Sequence, residues 1–454
     1  IIFSVIGIFF WEVSISQYSL RYLVLVFIVL NIYQFKMDDL YKYSLFLLII
    51  LCFFLHGYFS FDHFNIGISK HFIISLAFLF LIIISTYKYY IFFLKNMQNI
   101  LLLYFVSINL ISIYFLFNVN ISLYDYKANF NGMCTLVYTP EIANYMRFYF
   151  LEPSHFAFVS NASILSGVLF LNKKNLIYIL NYFLFLIFSV FFFLSATMAL
   201  GIMISSLIVL IFLFRKLKAK ENLSIFLIGI IMFFIFYNIP TCLIRVTQVA
   251  DSNLMYGYNA QMIPKASEVI PSFITKGISK ITGYRKYNNE DDKNILFNDN
   301  ENLKTLKERE AAMPIKVNVS TAIHVNALLI AWHSFKDTLF GYGFQNYSYA
   351  HIKYLQDVEL IYVQLKDYNY NDGASNFAKL IVEFGVFNFL FLILFVLFLI
   401  NNNINLQLKI FIITIIITQL IRGAGYFNGS FAFFIFIGMH LLLNNHYNLL
   451  KTHK

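Results

Sequence analysis

The sequence predicts an all-α integral membrane protein with about twelve transmembrane helices and one large water-facing loop late in the chain. The composition is 60% hydrophobic and only 12% charged, and the mean hydropathy is +0.71. A soluble globule of 454 residues would need more polar surface than this to face water. Long apolar runs, and one long interruption of them at residues 240–376, are the other two observations behind this fold class.

The apolar runs have the length of membrane-spanning helices rather than of barrel strands. A helix needs about 20 apolar residues to cross a hydrocarbon core about 30 Å thick, because its backbone satisfies its hydrogen bonds internally. Barrel strands would instead alternate apolar and polar residues in pieces of about ten. We therefore expect helices at roughly these positions: 1–12, 18–35, 43–60, 70–87, 98–118, 156–172, 176–194, 198–214, 223–239, 377–400, 408–421 and 430–445.

Lysine and arginine in the short loops indicate the orientation of these helices, since basic short loops stay in the cytoplasm. The strongest marker is the segment 215–220, which is rich in lysine and arginine. The other predicted cytoplasmic segments are also basic, and they contain Lys36 and Lys42, Lys88 and Lys95, Lys173 and Lys174, Lys409, and Lys451 and Lys454. Both termini are then expected in the cytoplasm, and the segments 119–155 and 240–376 share the outer face.

This topology divides the chain into three parts. Residues 1–239 form transmembrane helices 1 to 9 with an outer loop at about 119–155, and residues 240–376 form the large outer loop. Residues 377–454 form helices 10 to 12 and a cytoplasmic tail. The net charge of +10 is mainly a consequence of the basic cytoplasmic loops. We therefore expect the lipid bilayer, and not nucleic acid, as a partner.

The motifs of several enzyme classes do not occur in the sequence. It contains no Gly-Lys-Ser/Thr phosphate loop and no Asp-x-Asp pair for a nucleotide-sugar metal. The ten histidines show no close spacing typical of metal ligands. We therefore predict no cofactor and no bound metal.

The first candidate for chemistry is the segment Glu152-Pro153-Ser154-His155, where an outer loop enters the sixth predicted span. Pro153 and Ser154 suit the first turn of a helix, and Glu152 would lie near its positive end, so a simple helix start is one interpretation. In the other, Glu152 and His155 face a shared cavity as catalytic base, orienting group or sugar ligand. A Glu and a His at membrane depth are costly unless they are paired or functional.

Three arginines lie close to helix ends on the predicted outer face: Arg147, Arg245 and Arg422. A guanidinium holds phosphate oxygens with a planar fork and stays charged in a low-dielectric site, so three of them together would bind a diphosphate. Each could instead be an interfacial residue whose charge reaches water. Arg422 is followed by Gly423, Ala424 and Gly425, which let a ligand approach closely, so it is the strongest candidate for binding.

The large loop changes character along its length. Residues 288–310 are highly charged and are typical of a solvated helix or loop. Residues 320–335 have helical spacing and contain His324 and His333, either of which is a site residue or an ordinary hydrogen-bonded histidine. The segment 341–344 predicts a tight turn.

These features together resemble the O-antigen polymerase family, the membrane glycosyltransferases usually called Wzy, within a superfamily that includes O-antigen ligases. The resemblance covers most of the chain by topology, with about a dozen spans, two outer loops and the larger loop late. Its local carriers are Glu152-Pro153-Ser154-His155, Leu194-Ser195 before a helix, Leu339-Phe340-Gly341-Tyr342-Gly343, Asn376 with Glu383-Phe384-Gly385, and Arg422 with its glycines. Many relatives have an arginine shortly before the Gly-x-Gly segment, where this chain has His324.

The resemblance implies a reaction at the periplasmic face of the bacterial inner membrane. A growing glycan on undecaprenyl diphosphate would be transferred to the nonreducing end of a second lipid-linked repeat unit. Glu152 or His155 would accept the proton of the acceptor hydroxyl, and Arg147, Arg245, His324 and Arg422 would bind the substrate or its diphosphate. A chain-length regulator and a flippase of the same pathway are the implied protein partners.

Two alternative functions remain at this stage. An O-antigen ligase would use the same donor and transfer the glycan to lipid A core. A lipid-linked glycan flippase would have a similar number of spans, but transporters often contain repeated halves, and the two halves of this chain differ greatly in loop length.

Overall fold

The computed structural model describes residues 14–15, 18–19, 44–59, 66–118, 153–173, 175–192, 195–249, 259–262, 315–354, 369–402, 404–423, 425–427 and 431–452. In these residues the fold is predominantly helical, which confirms the predicted helical class. The helices are α1 (Ser44–Phe59), α2 (Ile66–Asn118), α3 (Pro153–Gly167), α4 (Leu176–Phe192), α5 (Ala196–Leu213), α6 (Ala219–Val249), α7 (Val319–Asp337), α8 (Tyr347–Tyr354), α9 (Asn376–Phe384), α10 (Asn388–Ile400), α11 (Leu406–Ile421) and α12 (Phe431–Thr452).

Short elements connect or flank these helices. Strand β1 (Ser14–Ile15) pairs with β2 (Tyr18–Ser19), and β3 (Asn259–Met262) pairs with β4 (Ile315–Asn318), both antiparallel. One 3-10 turn extends α3 (Val168–Lys173) and another joins α9 to α10 (Gly385–Phe387). The β3–β4 pair brings the two ends of the long segment 263–314 together, directly before α7.

The core of the bundle is built around α3, which packs against α5 and α11. Four polar side chains of α3 are fully buried in the bundle: Ser160, Asn161, Ser163 and Ser166. Asn161 Nδ2 donates to Thr418 Oγ1 of α11 at 3.1 Å. A Cβ added to Gly201 of α5 would overlap both of these side chains. Small residues therefore let three helices approach closely, as is common for helices packed in lipid.

The helices α3 and α11 run antiparallel. Phe170, just after α3, and Leu408, near the start of α11, line one cavity of about 200 Å³. His155 at the start of α3 and Arg422 at the end of α11 instead lie near the same carboxylate, as described below. The predicted topology also assigned these two latter ends to one side, the outer face.

The outward faces of the bundle are apolar. Within the described ranges, three helical segments are long and apolar enough to cross a membrane: Phe92–Tyr114, Thr197–Lys216 and Asn376–Ile400. On α10 alone seven large apolar side chains are exposed: Phe389, Leu390, Leu392, Ile393, Val396, Leu397 and Ile400. Apolar surface of this extent is unusual on a water-soluble monomer and is typical of a lipid-facing or partner-facing surface. The total of about twelve spans and the side on which the loops lie stay predictions.

Several predicted helix boundaries are wrong, two of them in α2 and α6. Spans expected at 70–87 and 98–118, with a basic loop between them, form one continuous helix of 53 residues in α2. The intervening residues contain no glycine or proline, and the Asn96 side chain bonds within the helix by donating to the Phe92 carbonyl at 3.1 Å. Polar residues alone do not end a helix when nothing competes for its backbone hydrogen bonds. The second error concerns α6, which runs past the expected end at 239 and through Pro240 to Val249.

The predicted N-terminal spans at 1–12 and 18–35 lie almost entirely outside the described residues. The β1–β2 pair includes Tyr18 and Ser19, so the helical start predicted at 18 is wrong by at least two residues. The tail beyond residue 452 and the charged segment 288–310 also lie outside the described residues.

One lysine of a predicted cytoplasmic loop lies within the packed bundle. Lys409, predicted to mark a short basic loop, lies inside α11 and is fully buried. Its Nζ donates to the carbonyls of Leu399 at 2.5 Å and Asn401 at 2.8 Å, at the end of α10. A lysine at a helix C-terminus satisfies carbonyls that have no partner within the helix. Lys409 therefore joins the end of α10 to α11. Its location on the cytoplasmic side stays a prediction.

The predicted span 377–400 is divided in two at Gly385, where a loop from the preceding segment docks on it. Tyr342 N donates to Val382 O at 2.9 Å, Gly343 N to Glu383 O at 2.9 Å, and Val386 N to Leu339 O at 2.8 Å. We call this set of backbone bonds the clasp. Because the last carbonyls of α9 accept hydrogen bonds from the loop, the α-helix stops there and resumes as α10 after the 3-10 turn.

The clasp depends on two glycines that face each other. Gly341 has a φ of +80° and Gly385 a φ of +51°, conformations that L side chains rarely adopt. A Cβ on Gly341 would overlap the backbone of Glu383, and a Cβ on Gly385 would overlap the carbonyl of Leu339. Two motifs that are far apart in the sequence, Leu339–Gly343 and Glu383–Gly385, therefore form one structural unit.

Candidate active site at one end of the bundle

Polar and charged residues from four segments meet at one end of the bundle. They are His155 at the start of α3, His324 in α7, Asp372 in the turn before α9, and Arg422 at the end of α11. Arg422 Nη1 lies 3.5 Å from His324 Nε2. His155 and Arg422 both lie close enough to Asp372 to act on its carboxylate. We call these four residues the site cluster.

Local chain geometry explains why α11 ends at the site cluster. Arg422 leaves the helix with φ −135° and ψ 97°, while its N–H still donates to the Thr418 carbonyl at 3.0 Å. The next residue, Gly423, lies directly against the Asn376 carboxamide, and a Cβ there would overlap this group and the Gln419 carbonyl. Glycine therefore lets the chain turn across the start of α9 immediately after Arg422.

The start of α9 is tied to the same place by Ser375. Its Oγ accepts from the Ala378 N–H at 3.4 Å and donates to the Leu420 carbonyl of α11 at 3.2 Å. The first bond is a helix N-cap, and the second joins the two helix ends. Asp372 lies three residues earlier, and its Oδ1 accepts from the Ala374 N–H at 2.9 Å. The turn 372–375 thus holds Asp372 beside Arg422.

Burial raises the pKa of the Asp372 carboxyl above its ordinary value. The Ala374 N–H and the positive charges of Lys379, Arg422 and His155 oppose this shift but do not cancel it. A carboxyl in such an environment holds its proton to a higher pH than an exposed aspartate does. Raised values of this kind are frequent in active sites, since they let a carboxyl exchange protons nearer neutral pH.

A buried ion pair in α9 lies near Asp372 of the site cluster. Lys379 Nζ is 3.6 Å from Glu383 Oε1, one helical turn along α9, and their side chains are 3% and 0% exposed. Lys379 Nζ also donates to Gln345 Oε1 at 3.2 Å and to the Asn371 carbonyl at 3.0 Å. Glu383 Oε1 accepts from the Tyr347 N–H at 3.3 Å, at the start of α8. The pair therefore connects α9 to two loops and to a second helix.

Two tyrosines complete this region. Burial raises the pKa of Tyr426 well above 10, and the nearby Glu383 carboxylate acts in the same direction. Burial also raises the pKa of Tyr347, with smaller contributions from Asp372 and Glu383. Both phenols are therefore neutral near pH 7 and can take part only through hydrogen bonding and packing. Lys379 Nζ lies 5.0 Å from the centre of the Tyr426 ring, within range of a cation–π contact.

The structure brings together three of the residues predicted from the sequence: His155, His324 and Arg422. Arg245 lies in α6, but its side chain is outside the described residues. Arg147 and Glu152 lie outside them entirely, so their part in the site stays a prediction. The predicted helix start is confirmed, because α3 begins at Pro153. The predicted helix at 320–335 is confirmed as well, whereas the turn predicted at 341–344 is replaced by two turns, at 338–341 and 343–346, on either side of the clasp.

Sequence reasoning assigned no site role to Asp372, Lys379 or Glu383, although Glu383 is among the residues that carry the family resemblance. A usable signal was present for two of them, since Lys379 and Glu383 are the charged residues of the apolar segment Asn376–Ile400. Ionisable residues within an apolar span are costly and are commonly paired or functional. Their spacing of four residues places them on one helix face. Asp372 gave no comparable signal, because a polar residue in a turn before a helix is ordinary.

The described residues offer little to a metal ion. No group of three histidine, cysteine, aspartate or glutamate side chains within these ranges is arranged to hold one. The cavity of about 200 Å³ lies at the opposite end of α3 and α11 and is lined by polar residues such as Lys95 and Gln407. It shares no residue with the site cluster.

Comparison with protein-family models, with curated proteins and with solved structures found no match for this chain. The resemblance to O-antigen polymerases therefore rests on the residues and topology of the chain itself.

Proposed function

We propose that this chain is a polysaccharide polymerase of the O-antigen type, a multi-span glycosyltransferase of the bacterial inner membrane. It would join undecaprenyl-diphosphate-linked repeat units at the periplasmic face. The observation that supports this most is the meeting of His155, His324 and Arg422 at one end of the bundle. His324 lies 98 positions before Arg422 in the sequence and His155 lies further still, and all three are site candidates from the sequence and the family resemblance.

The proposed reaction needs positive charge more than it needs a cofactor. The bond between the donor's anomeric carbon and the diphosphate breaks, and the diphosphate leaves with the electron pair. The acceptor hydroxyl forms the new glycosidic bond and gives up its proton. Arg422 would stabilise the charge that develops on the diphosphate, since guanidinium binds phosphate oxygens with two parallel N–H groups. His324, 3.5 Å from Arg422 Nη1, would bind the same group or fix the guanidinium.

The acceptor proton needs a base on the same side. His155 lies at the start of α3, close to Asp372, and an imidazole is the commonest general base in enzymes. Asp372 is the second candidate from the geometry, because burial raises its pKa. Glu152, three residues before His155, remains the candidate from the sequence. A carboxylate in this place would also stabilise the oxocarbenium-like transition state of sugar transfer.

Glycan ladders from a deletion strain test the proposal against its two rivals. A single repeat unit on lipid A core is the expected result and indicates a polymerase. Unattached polymer would instead indicate a ligase, and loss of all surface glycan would indicate a flippase.

Complementation with Arg422→Ala tests the site. We expect normal amounts of protein in the membrane but a loss of long glycan of about 100-fold to 1000-fold, the usual effect of removing one group that stabilises transition-state charge. The matched control is Arg215→Ala, which changes an exposed arginine just after α5 and should keep normal ladders. Normal ladders from Arg422→Ala would rule out its role. Glu152→Gln and His155→Ala are then compared in the same strain. The variant that abolishes polymer identifies the base.

A further inference from the structure

We infer that Lys379 is a positioning residue that holds the three loops of the proposed site in one arrangement. The three loops, called here the site loops, are residues 341–346, 369–374 and 425–427. The inference depends on the proposed function only for what the loops are used for. The arrangement itself is argued from the contacts below.

Lys379 contacts each of the site loops. Its Nζ donates to the Gln345 side chain in the first loop at 3.2 Å and to the Asn371 carbonyl in the second at 3.0 Å. In the third loop it lies over the Tyr426 ring, and a Cβ built on Gly425 would be 3.9 Å from Nζ. One ammonium group with three donors therefore contacts all three chain segments, and the first and third segments also pack on each other through Phe344 and Tyr426.

The site loops hold unusual backbone conformations. Outside Gly385, every residue with a positive φ in the described part of the chain lies in them: Gly341, Gly343, Gln345, Asn369, Gly373, Ala374 and Gly425. Gln345, Asn369 and Ala374 adopt φ values of 65°, 53° and 57° without being glycine. Conformations of this kind persist only where the surrounding structure enforces them, and they are concentrated at functional sites. Lys379 donates to Gln345, which has one of these conformations, and to Asn371, which lies between Asn369 and Gly373.

The loops carry or adjoin the residues of the site cluster. Asp372 belongs to the second loop, and Arg422 lies three positions before Gly425, the first residue of the third. Lys379 also lowers the energy of the Asp372 carboxylate through its positive charge. Glu383 keeps Lys379 in place from one helical turn away and holds the start of α8 through the Tyr347 N–H. Displacing the ammonium would therefore loosen the loop that carries Asp372 and the loop that follows Arg422, without changing either residue.

Removing the lysine alone would leave Glu383 buried without a counter-charge, and such a change can prevent folding. The test therefore compares Lys379→Met/Glu383→Gln with Glu383→Gln. In both variants the glutamine keeps an oxygen that can accept from the Tyr347 N–H, so the comparison isolates the ammonium. Lys409→Met is a second control, because Lys409 is an equally buried lysine that bonds main-chain carbonyls at the other end of α11.

The measurement is hydrogen exchange of the full chain, purified in detergent, together with its melting temperature. We expect the amides of residues 341–346 and 369–374 to exchange at least about tenfold faster in the double variant than in Glu383→Gln, with similar melting temperatures. In Lys409→Met the change should be confined to residues near 399–402. Equal exchange of the site loops in the double variant and in Glu383→Gln would overturn the inference, as would a general loss of protection along the whole chain.

The glycan ladder separates this inference from the proposed function. If the double variant loses long glycan and also shows loosened site loops, both stand. If Arg422→Ala keeps normal ladders, the proposed function fails, and the exchange comparison still decides the role of Lys379.

Discussion

The clasp between Leu339–Gly343 and Glu383–Gly385 gives the sharpest prediction about stability. Gly341→Ala is expected to destabilise the protein for two separate reasons. An alanine at φ +80° carries a backbone penalty of about 1–2 kcal/mol. Its Cβ would also overlap the carbonyl group of Glu383, which is held by the hydrogen bond from Gly343 and cannot move away. Overpacking of a rigid site costs about 1–3 kcal/mol more, so the total is about 2–5 kcal/mol.

Two other glycines separate these contributions. Gly425 has a φ of +96°, but its added Cβ would meet nothing closer than 3.9 Å, so Gly425→Ala carries the backbone penalty alone. Gly438 in α12 has neither a positive φ nor a neighbour closer than 3.4 Å. Gly438→Ala is expected to be neutral or to stabilise by up to about 1 kcal/mol, since alanine is the better helix former.

Thermal unfolding of the three purified variants in one detergent checks this order. The melting temperature should fall most for Gly341→Ala, less for Gly425→Ala, and not at all for Gly438→Ala. Equal melting temperatures for Gly341→Ala and Gly438→Ala would refute the reasoning, because the clasp would then tolerate a side chain at its closest contact.

Two further predictions concern the polar interior. In Asp372→Asn, we expect a rise in melting temperature that grows as the pH increases above the ordinary pKa of an aspartate, together with a loss of long glycan. The folded-state pKa is raised, so ionisation of Asp372 opposes folding at high pH and protonation relieves it as the pH falls; a melting temperature that falls equally at every pH would contradict this. In Thr418→Val, the Asn161 amide loses its partner on α11, and we expect a loss of about 1–3 kcal/mol in unfolding free energy. Thr414→Val, a change on the same helix at a hydroxyl that bonds only within α11, is the control and should cost less in the same melting assay.

The sequence predicted the helical class and most helix positions because apolar runs of the right length are a strong local signal. It failed where a boundary depended on a contact with another part of the chain. The division of 377–400 at Gly385 follows from the docking of Leu339–Gly343, which no local pattern reveals. The continuity of α2 shows the converse. Lysines between two apolar runs predict a loop, but no glycine or proline interrupts the backbone hydrogen bonds there, and the helix continues.

The site was predictable in part for a related reason. His155 and Arg422 are candidates because of their residue types and their neighbours Pro153, Ser154 and Gly423, whereas His324 is assigned to the site by the family resemblance. Asp372 becomes significant only through its burial near Arg422. That burial depends on where α9 begins and where α11 ends. The buried pair Lys379 and Glu383 could have been found from composition alone, as charges in an apolar segment.

The arrangement of the site cluster has a consequence for the order in which the protein is made. His155 leaves the ribosome long before Arg422, and the Leu339–Gly343 loop has no docking partner until α9 and α10 have been synthesised and placed. A nascent chain that stops short of α11 would contain three of the four segments but no complete charge arrangement. Under the proposed function, a chain that ends before residue 422 lacks the group that stabilises the diphosphate, so a premature stop codon there is expected to abolish long glycan, however stable the fragment that remains.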